Sequence, residues 1–451
     1  MVQKKRRRRD ALEVRNPNAA GIDIGSRQHW VAVAAHRDPQ PVRWFGTTTT
    51  ELVRLADWLA SCGVTTIAME STAVYWVPLY EVLEERGFEV FLVNASYARN
   101  VSGRKSDVKD CQWIQQLHTY GLLRASFRPS APIAELRSYM RHRDMLVASA
   151  ARDIQHMQKA LMLMNVQVHH AVTDITGVTG MAIVRAIVAG ERDPAVLATH
   201  RDPRCHATAE QVADALRGNY RPEHLFALEQ ALRLYDTYLE LIAECDSRMD
   251  AVLQALAQRC SPPPEPAPPP KRRGRPRGSL PTFEIRQPLH RLCGGADITQ
   301  LDGIAPHTAL QLLSEVGTDP SRWPTAKHFT SWLNLAPPTK ITGGKPLRAQ
   351  RPARKNRAGE ILRMAAVSVG RTASALGAFY RRIAASRGKG KAVVATARKL
   401  AVIIYHLLRG APFRPTSLAA YDERYRDHVL RRLRNRAKSL GFDLTPLPAE
   451  T

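Results

Sequence analysis

Residues 105–110, KSDVKD, place Asp107 and Asp110 three positions apart with a lysine ahead of each. On a helix that spacing puts both carboxylates on one face. In a chain with sixty-six Lys and Arg against forty-one Asp and Glu, such a pair has two uses: it complements the positive end of a helix dipole, or it holds a cation. Two other acids stand where they could join it. Asp23 lies in GIDIG, within a stretch of alternating apolar residues, and Glu70 ends the apolar run of TTIAME. Singly, each reads as a turn former or a solvated strand end. Together, four carboxylates able to converge at a sheet edge can bind two Mg²⁺ ions, which offset their mutual repulsion and stabilise the entering and leaving oxygens of a phosphodiester displacement.

A second group of residues lies far downstream. Thr342 precedes two glycines in KITGGK, ordinarily the mark of a turn. It is followed by Arg348, Arg351, Arg354, Lys355 and Arg357, with no acid among them. Such a cluster can hold a scissile phosphate and neutralise charge in a transition state, and it is also the pattern of a solvated nucleic-acid-binding face. A third basic group, KRRGRPRG, has the form of an AT-hook. Its Arg273, Arg275 and Arg277 suit the narrow minor groove of A·T-rich DNA, or non-specific phosphate contact in an ordinary basic linker.

The elements that must position these residues follow from periodicity and punctuation. AGIDIGSRQHWVAVAAH alternates about a Gly-Ser turn and predicts a hairpin. TELVRLADWLASCG predicts a helix ended by Gly63, TTIAME a strand, residues 73–86 a helix, FEVFLV a strand, and DVKDCQWIQQLHTYGLL a helix. Residues 19–128 are therefore an α/β domain, preceded by a basic arm at 1–18. From Ile133 to Asn165 one long helix is predicted, with Arg137, Arg141, Arg143, Arg152 and Lys159 off its apolar side, where nucleic acid could meet them. From Leu225 to Leu256 apolar residues occupy heptad positions, interrupted by Asp246, which predicts a coiled coil and self-association. Residues 129–257 form this helical and coiled-coil region. A Pro-rich linker at 258–284 carries the hook-like motif; proline at this density precludes helix or sheet. A mainly helical domain at 285–410 and a basic helical tail at 411–451 complete the chain.

Composition limits the functions available. With 451 residues, 44% of them hydrophobic, the chain can build two or three cores, so it is not a disordered basic protein. A formal charge of +25 implies a polyanionic partner, nucleic acid first. Six scattered cysteines without a C-x-x-C pair indicate neither a zinc site nor a disulfide framework. No apolar run reaches the length of a membrane span, and the N-terminus lacks a signal-peptide core. The expected location is the cytoplasm, in association with the nucleoid.

GIDIGSRQHWVAV, AMESTAVYWVPLYEVLEERGFEVFLVNA, KSDVKDCQWI and, downstream, LDGIAPHTALQLLSEVG, WLNLAP, ITGG and NRAGEILRMAA resemble the bridge-RNA-guided insertion-sequence transposases. The resemblance spans residues 19–410. It implies an RNase H/RuvC-like DEDD domain, joined through a coiled coil to a helical transposase domain with a nucleophilic serine. It implies Mg²⁺ held by Asp23, Glu70, Asp107 and Asp110, and attack on DNA from the serine position, which here is Thr342; Ser331 ranks second. Threonine keeps the hydroxyl but adds a methyl that restricts χ1 and crowds phosphorus. The resemblance also implies donor and target DNA and a noncoding bridge RNA as partners, and a homo-oligomer, dimer or tetramer. LDGIAPHTAL resembles a helix-hairpin-helix, with Ala305 where the family usually has glycine. Two other readings stand beside this one: a RuvC-like nuclease or junction resolvase using water, and an inactive nucleic-acid-binding protein derived from a transposase.

Overall fold

The structure is a computed structural model describing residues 13–94, 106–269, 280–336 and 356–445 in full, with the backbone of 339–342 and 345–348. Two compact units make up the chain, Met1–Arg128 and Pro129–Thr451. In the first, β1 (Ala19–Ile24), β2 (Gln28–Ala32), β3 (Val42–Gly46), β4 (Thr66–Glu70) and β5 (Glu89–Val93) form one sheet in the order β3-β2-β1-β4-β5. The first three strands are antiparallel, and β4 and β5 run parallel to β1. This is the RNase H-like arrangement.

Alternation along the strands divides the sheet into two faces. Ile22, Ile24, Ile67 and Met69 pack with Leu55 and Leu59 of α1 (Thr49–Ser61) and with Leu79 and Leu83 of α2 (Trp76–Glu85). On the other face Ala68 and Val93 pack with Ile114 of α3 (Asp107–Thr119) and with Leu123. Helix α2 begins later than the periodicity predicts, because Ala73 has a left-handed φ of 46° that a helix cannot contain. Part of the predicted arm is fastened to this unit: the Arg15 and Asn16 amides both donate to the Thr119 carbonyl at 2.9 Å. The arm's residues 1–12 lie outside the described residues.

The second unit is helical. Helix α4 (Ala131–Leu163) runs beside α9 (Pro222–Gln258), while α5 (Val168–Ala171), α6 (Val178–Val188), α7 (Pro194–Ala198) and α8 (Ala209–Ala215) lie between them in sequence. The shared core includes Met157, Leu161, Ile183, Ile187, Leu197 and Leu228. Two expectations are corrected here. The heptad residues Leu228, Leu232, Ile242, Met249 and Leu253 are buried, and α9 packs against α4 of the same chain. The stripe that suggested self-association is therefore used within the chain. Arg143, placed with the residues open to nucleic acid, is 1% exposed and bonds Asp246 through Nε and Nη2 at 2.5 and 3.2 Å. The heptad break at Asp246 is thus one half of a buried ion pair. Arg141 is engaged as well, with both guanidinium bonds on Glu315 at 2.8 and 2.7 Å.

Next come α10 (Arg286–Leu292), a 3₁₀ turn at Ile298–Gln300, α11 (Pro306–Val316), α12 (Ala326–Trp332), a hairpin of β6 (Thr339–Thr342) and β7 (Lys345–Arg348), α13 (Arg357–Val369), α14 (Ala375–Arg387), α15 (Lys389–Leu408) and α16 (Leu418–Ser439). Helix α15 is central, packing on α12, α13 and α14. The helix-hairpin-helix expectation changes: a 3₁₀ turn replaces its first helix. Gly303, at φ 79°, lets that turn meet α13 so closely that an added Cβ would lie 2.6 Å from the Ala365 carbonyl oxygen. Ala305 has φ −77° as the cap of α11, a conformation that does not require glycine. Among the described residues, no helix is long and apolar enough to cross a membrane.

Candidate functional site

The parallel register of β1 and β4 pairs Ile22 with Met69, so Asp23 and Glu70 occupy the next row at the C-terminal ends of neighbouring strands. Ile22 and Met69 point into the α1/α2 core. Alternation then sends Asp23 and Glu70 to the opposite face, the one that α3 covers. Helix α3 lies on β1 at Gly21, where an added Cβ would be 2.4 Å from the Cys111 carbonyl oxygen and 2.3 Å from the Gln115 nitrogen. Only a residue without a side chain permits that approach. Gly21 is a positioning residue missed in the sequence; its signal is a glycine inside an otherwise apolar strand.

The first turn of α3 carries Asp107 and Asp110, and Ser106 caps it by accepting a bond from the Lys109 amide. Asp107 is exposed and Asp110 half-buried, as are Asp23 and Glu70. Glu70 accepts a long bond, 3.4 Å, from the Thr72 hydroxyl. The buried Cys111 thiol senses two of these acids: burial first, then the charge of Asp23 and more weakly that of Asp110, push its pKa up to about 12. Beta strand and helix thus bring Asp23 and Asp110 into one electrostatic neighbourhood.

Carboxylates are the hard oxygen donors that suit Mg²⁺, and all four belong to elements meeting on one side of the sheet. They do not close around a common point: among the described residues, no three His, Cys, Asp or Glu side chains lie close enough together to hold a metal ion.

The other predicted residues lie in the second unit. Thr342 ends β6 and pairs with Lys345 at the start of β7, and Arg348 pairs with Thr339 at the opposite end of the hairpin. A hairpin was not expected here. Its signal was present, two glycines between short runs, but the runs are too short and polar to read as strands. Arg351, Arg354 and Lys355, and the hook residues Arg273, Arg275 and Arg277, lie outside the described residues. Arg357 is exposed at the start of α13. The two ends of the segment bearing Thr342 are tied together: Asn356 caps α13 through Gly359 N at 3.0 Å and donates to the Trp332 carbonyl at 3.1 Å. Arg363 donates to the Asn334 carbonyl at 3.0 Å. Asn356 and Arg363 were not singled out from the sequence. Ser331, the second-ranked hydroxyl, is exposed on α12.

An RNase H-like sheet with acids on one face, joined in one chain to a basic helical unit, defines a class of proteins that process nucleic acid. Residues 20–166 match the DEDD transposase domain of the IS110 family, and residues 296–381 match the Transposase IS116/IS110/IS902 family; together the matches cover just over half of the chain. No curated protein matches it. The chain belongs to the IS110-family transposases, enzymes acting on DNA, and carries both of their domains.

Proposed function

We propose that this transposase cuts and rejoins DNA through a covalent protein-DNA intermediate formed on Thr342, and that Asp23, Glu70, Asp107 and Asp110 hold the divalent metal that a DEDD domain implies. The Thr342 hydroxyl oxygen bonds to the scissile phosphorus, and the phosphorus-oxygen bond to the departing DNA 3′-oxygen breaks. The threonine proton passes to that oxygen. A DNA 3′-hydroxyl then attacks the phosphothreonine, restoring a phosphodiester on a new strand and returning the proton to Thr342. The metal, when bound, supplies the positive charge that holds and polarises the phosphate. Arg348, Arg351, Arg354, Lys355 and Arg357 neutralise the remaining phosphate charge. The single observation that carries this reading is the placing of Asp23, Glu70 and the first turn of α3 on one side of the sheet.

In the same reading, a noncoding RNA of the element pairs with donor and target DNA, so that sequence choice resides in the RNA. The charge of +25 supports a polyanionic partner. Two or more chains assemble for a complete exchange.

The test is a suicide DNA substrate that traps covalent adducts. Thr342→Ala removes the adduct and strand transfer, whereas Thr342→Ser keeps both. Strand cleavage that persists in Thr342→Ala without any adduct would show that water attacks, as in a RuvC-like nuclease, and would overturn the threonine mechanism. Asp23→Asn lowers Mg²⁺-dependent cleavage by at least about 100-fold, the scale of losing one strong electrostatic stabiliser.

A further inference from the structure

A groove of about 1620 Å³ opens in the second unit along α14, α15 and α16. It is larger than the ~300–1,000 Å³ usual for small-molecule sites. Arg382, Arg387, Lys391, Arg398, Lys399 and Arg424 line it, and Asp302 is the one carboxylate among its described lining residues. Between the cations run apolar surfaces, from Phe379, Ile383, Val394, Val402 and Ile403.

The cations are arranged around rings. Arg382 lies 5.3 Å from the Phe379 ring centroid, 5.4 Å from that of Tyr421 and 4.2 Å from that of Tyr425. Lys399 Nζ lies 4.1 Å from the Phe379 centroid. The protein packed around the Lys399 ammonium, and then the neighbouring charge of Arg382, push its pKa down. Like charges crowded in this way are stabilised by an anion between them. The outer wall, α16, contributes no buried residue and is held to α14 through these cation-ring contacts.

We propose that this groove holds an unpaired nucleic-acid strand, with its phosphates on Arg382, Arg398 and Lys399 and its bases against Phe379, Tyr425 and the apolar wall. Rows of cations interleaved with aromatic rings are what an unpaired strand needs, since each nucleotide presents a phosphate and a stackable base. A duplex keeps its base faces stacked inside, leaving the rings and the apolar wall without a stacking partner. The proposal rests on the reading of the chain as a DNA-processing enzyme and names where a displaced or guide strand is held.

The experiment uses the full chain and iodouracil-substituted single-stranded oligonucleotides, one DNA and one RNA, with a DNA duplex as the comparison. Ultraviolet cross-links on the unaltered chain are expected at Phe379, Tyr421 or Tyr425, and the stronger of the two single strands identifies the source. The pair Arg398→Glu and Lys399→Glu is expected to weaken single-strand binding about ten-fold more than the pair Arg434→Glu and Arg436→Glu, which changes the charge equally on α16 away from the groove. Cross-links confined to other segments, equal losses for the two pairs, or a preference for duplex would each overturn the proposal. Asp23→Asn separates the two readings, because strand binding persists in that variant while cleavage is lost; cleavage failure in the unaltered chain would count against the enzyme reading alone.

Discussion

At the scale of single residues, Gly21 and His118 decide whether α3 can present its acids. Gly21→Ala would force a Cβ onto backbone atoms 2.3 and 2.4 Å away, and backbone cannot swing aside as a side-chain tip can. The expected cost is roughly 3 kcal/mol, measured as a lower denaturant midpoint, with metal-dependent cleavage falling too because Asp107 and Asp110 ride on the same helix. His118 is buried, its Nε2 2.9 Å from the Thr66 hydroxyl, and burial pushes its pKa from the ordinary 6.5 down to about 4. The unfolded chain therefore takes up this proton more readily than the folded one. The stabilising contribution is complete above pH 6.5 and disappears as pH falls from 6.5 toward 4. Unfolding measured at pH 7 and pH 5 should show a loss of roughly 2 kcal/mol from this group, absent in His118→Asn.

At the scale of elements, the long pair α4 and α9 depends on both packing and one ion pair. Apolar spacing made both helices legible, because a repeat near 3.6 residues survives whatever the partner is. It did not reveal the partner, and a stripe fit for a second chain is equally fit for α4. Nor did it reveal that Asp246 and Arg143 meet, 103 residues apart in sequence. Asp246→Ala strands a buried guanidinium and should cost about 3–5 kcal/mol, whereas Arg143→Met combined with Asp246→Leu should regain most of that stability. A double-mutant cycle read by denaturant unfolding checks this. Should the double variant be no better than Asp246→Ala, apolar packing does not substitute for the pair. The hairpin of β6 and β7 was harder to read, since strands of four residues rich in Lys, Arg and Pro show little apolar alternation.

At the scale of the whole molecule, a charge of +25 makes DNA affinity a counter-ion effect. Binding should fall by about 10³-fold or more between 50 and 200 mM salt if six or more phosphates are contacted, measured by fluorescence anisotropy against duplex and single-stranded DNA. The proposed chemistry also divides between units, with the acids in the first and Thr342 in the second. Mixing Asp23→Asn chains with Thr342→Ala chains should restore adduct formation if different chains supply the two parts; a mixture as inactive as its components would confine the site to one chain.

The sequence by itself carried the long helices, four of the five strands of the first sheet, and the division into an α/β part and a helical part, because these depend on local periodicity; β3 and the hairpin of β6 and β7 it did not announce, and the four acids and the hydroxyl it offered only as candidates by residue type. Only the tertiary structure decided which charges remain available and which face each acid shares. It buried Arg143 on Asp246 and set Arg141 on Glu315, and at the same time it left Arg382, Arg398 and Lys399 around a groove that no spacing had announced. The physical reason is that electrostatic pairing and burial act across space between segments far apart in the chain, whereas sequence patterns record only what each segment does to itself.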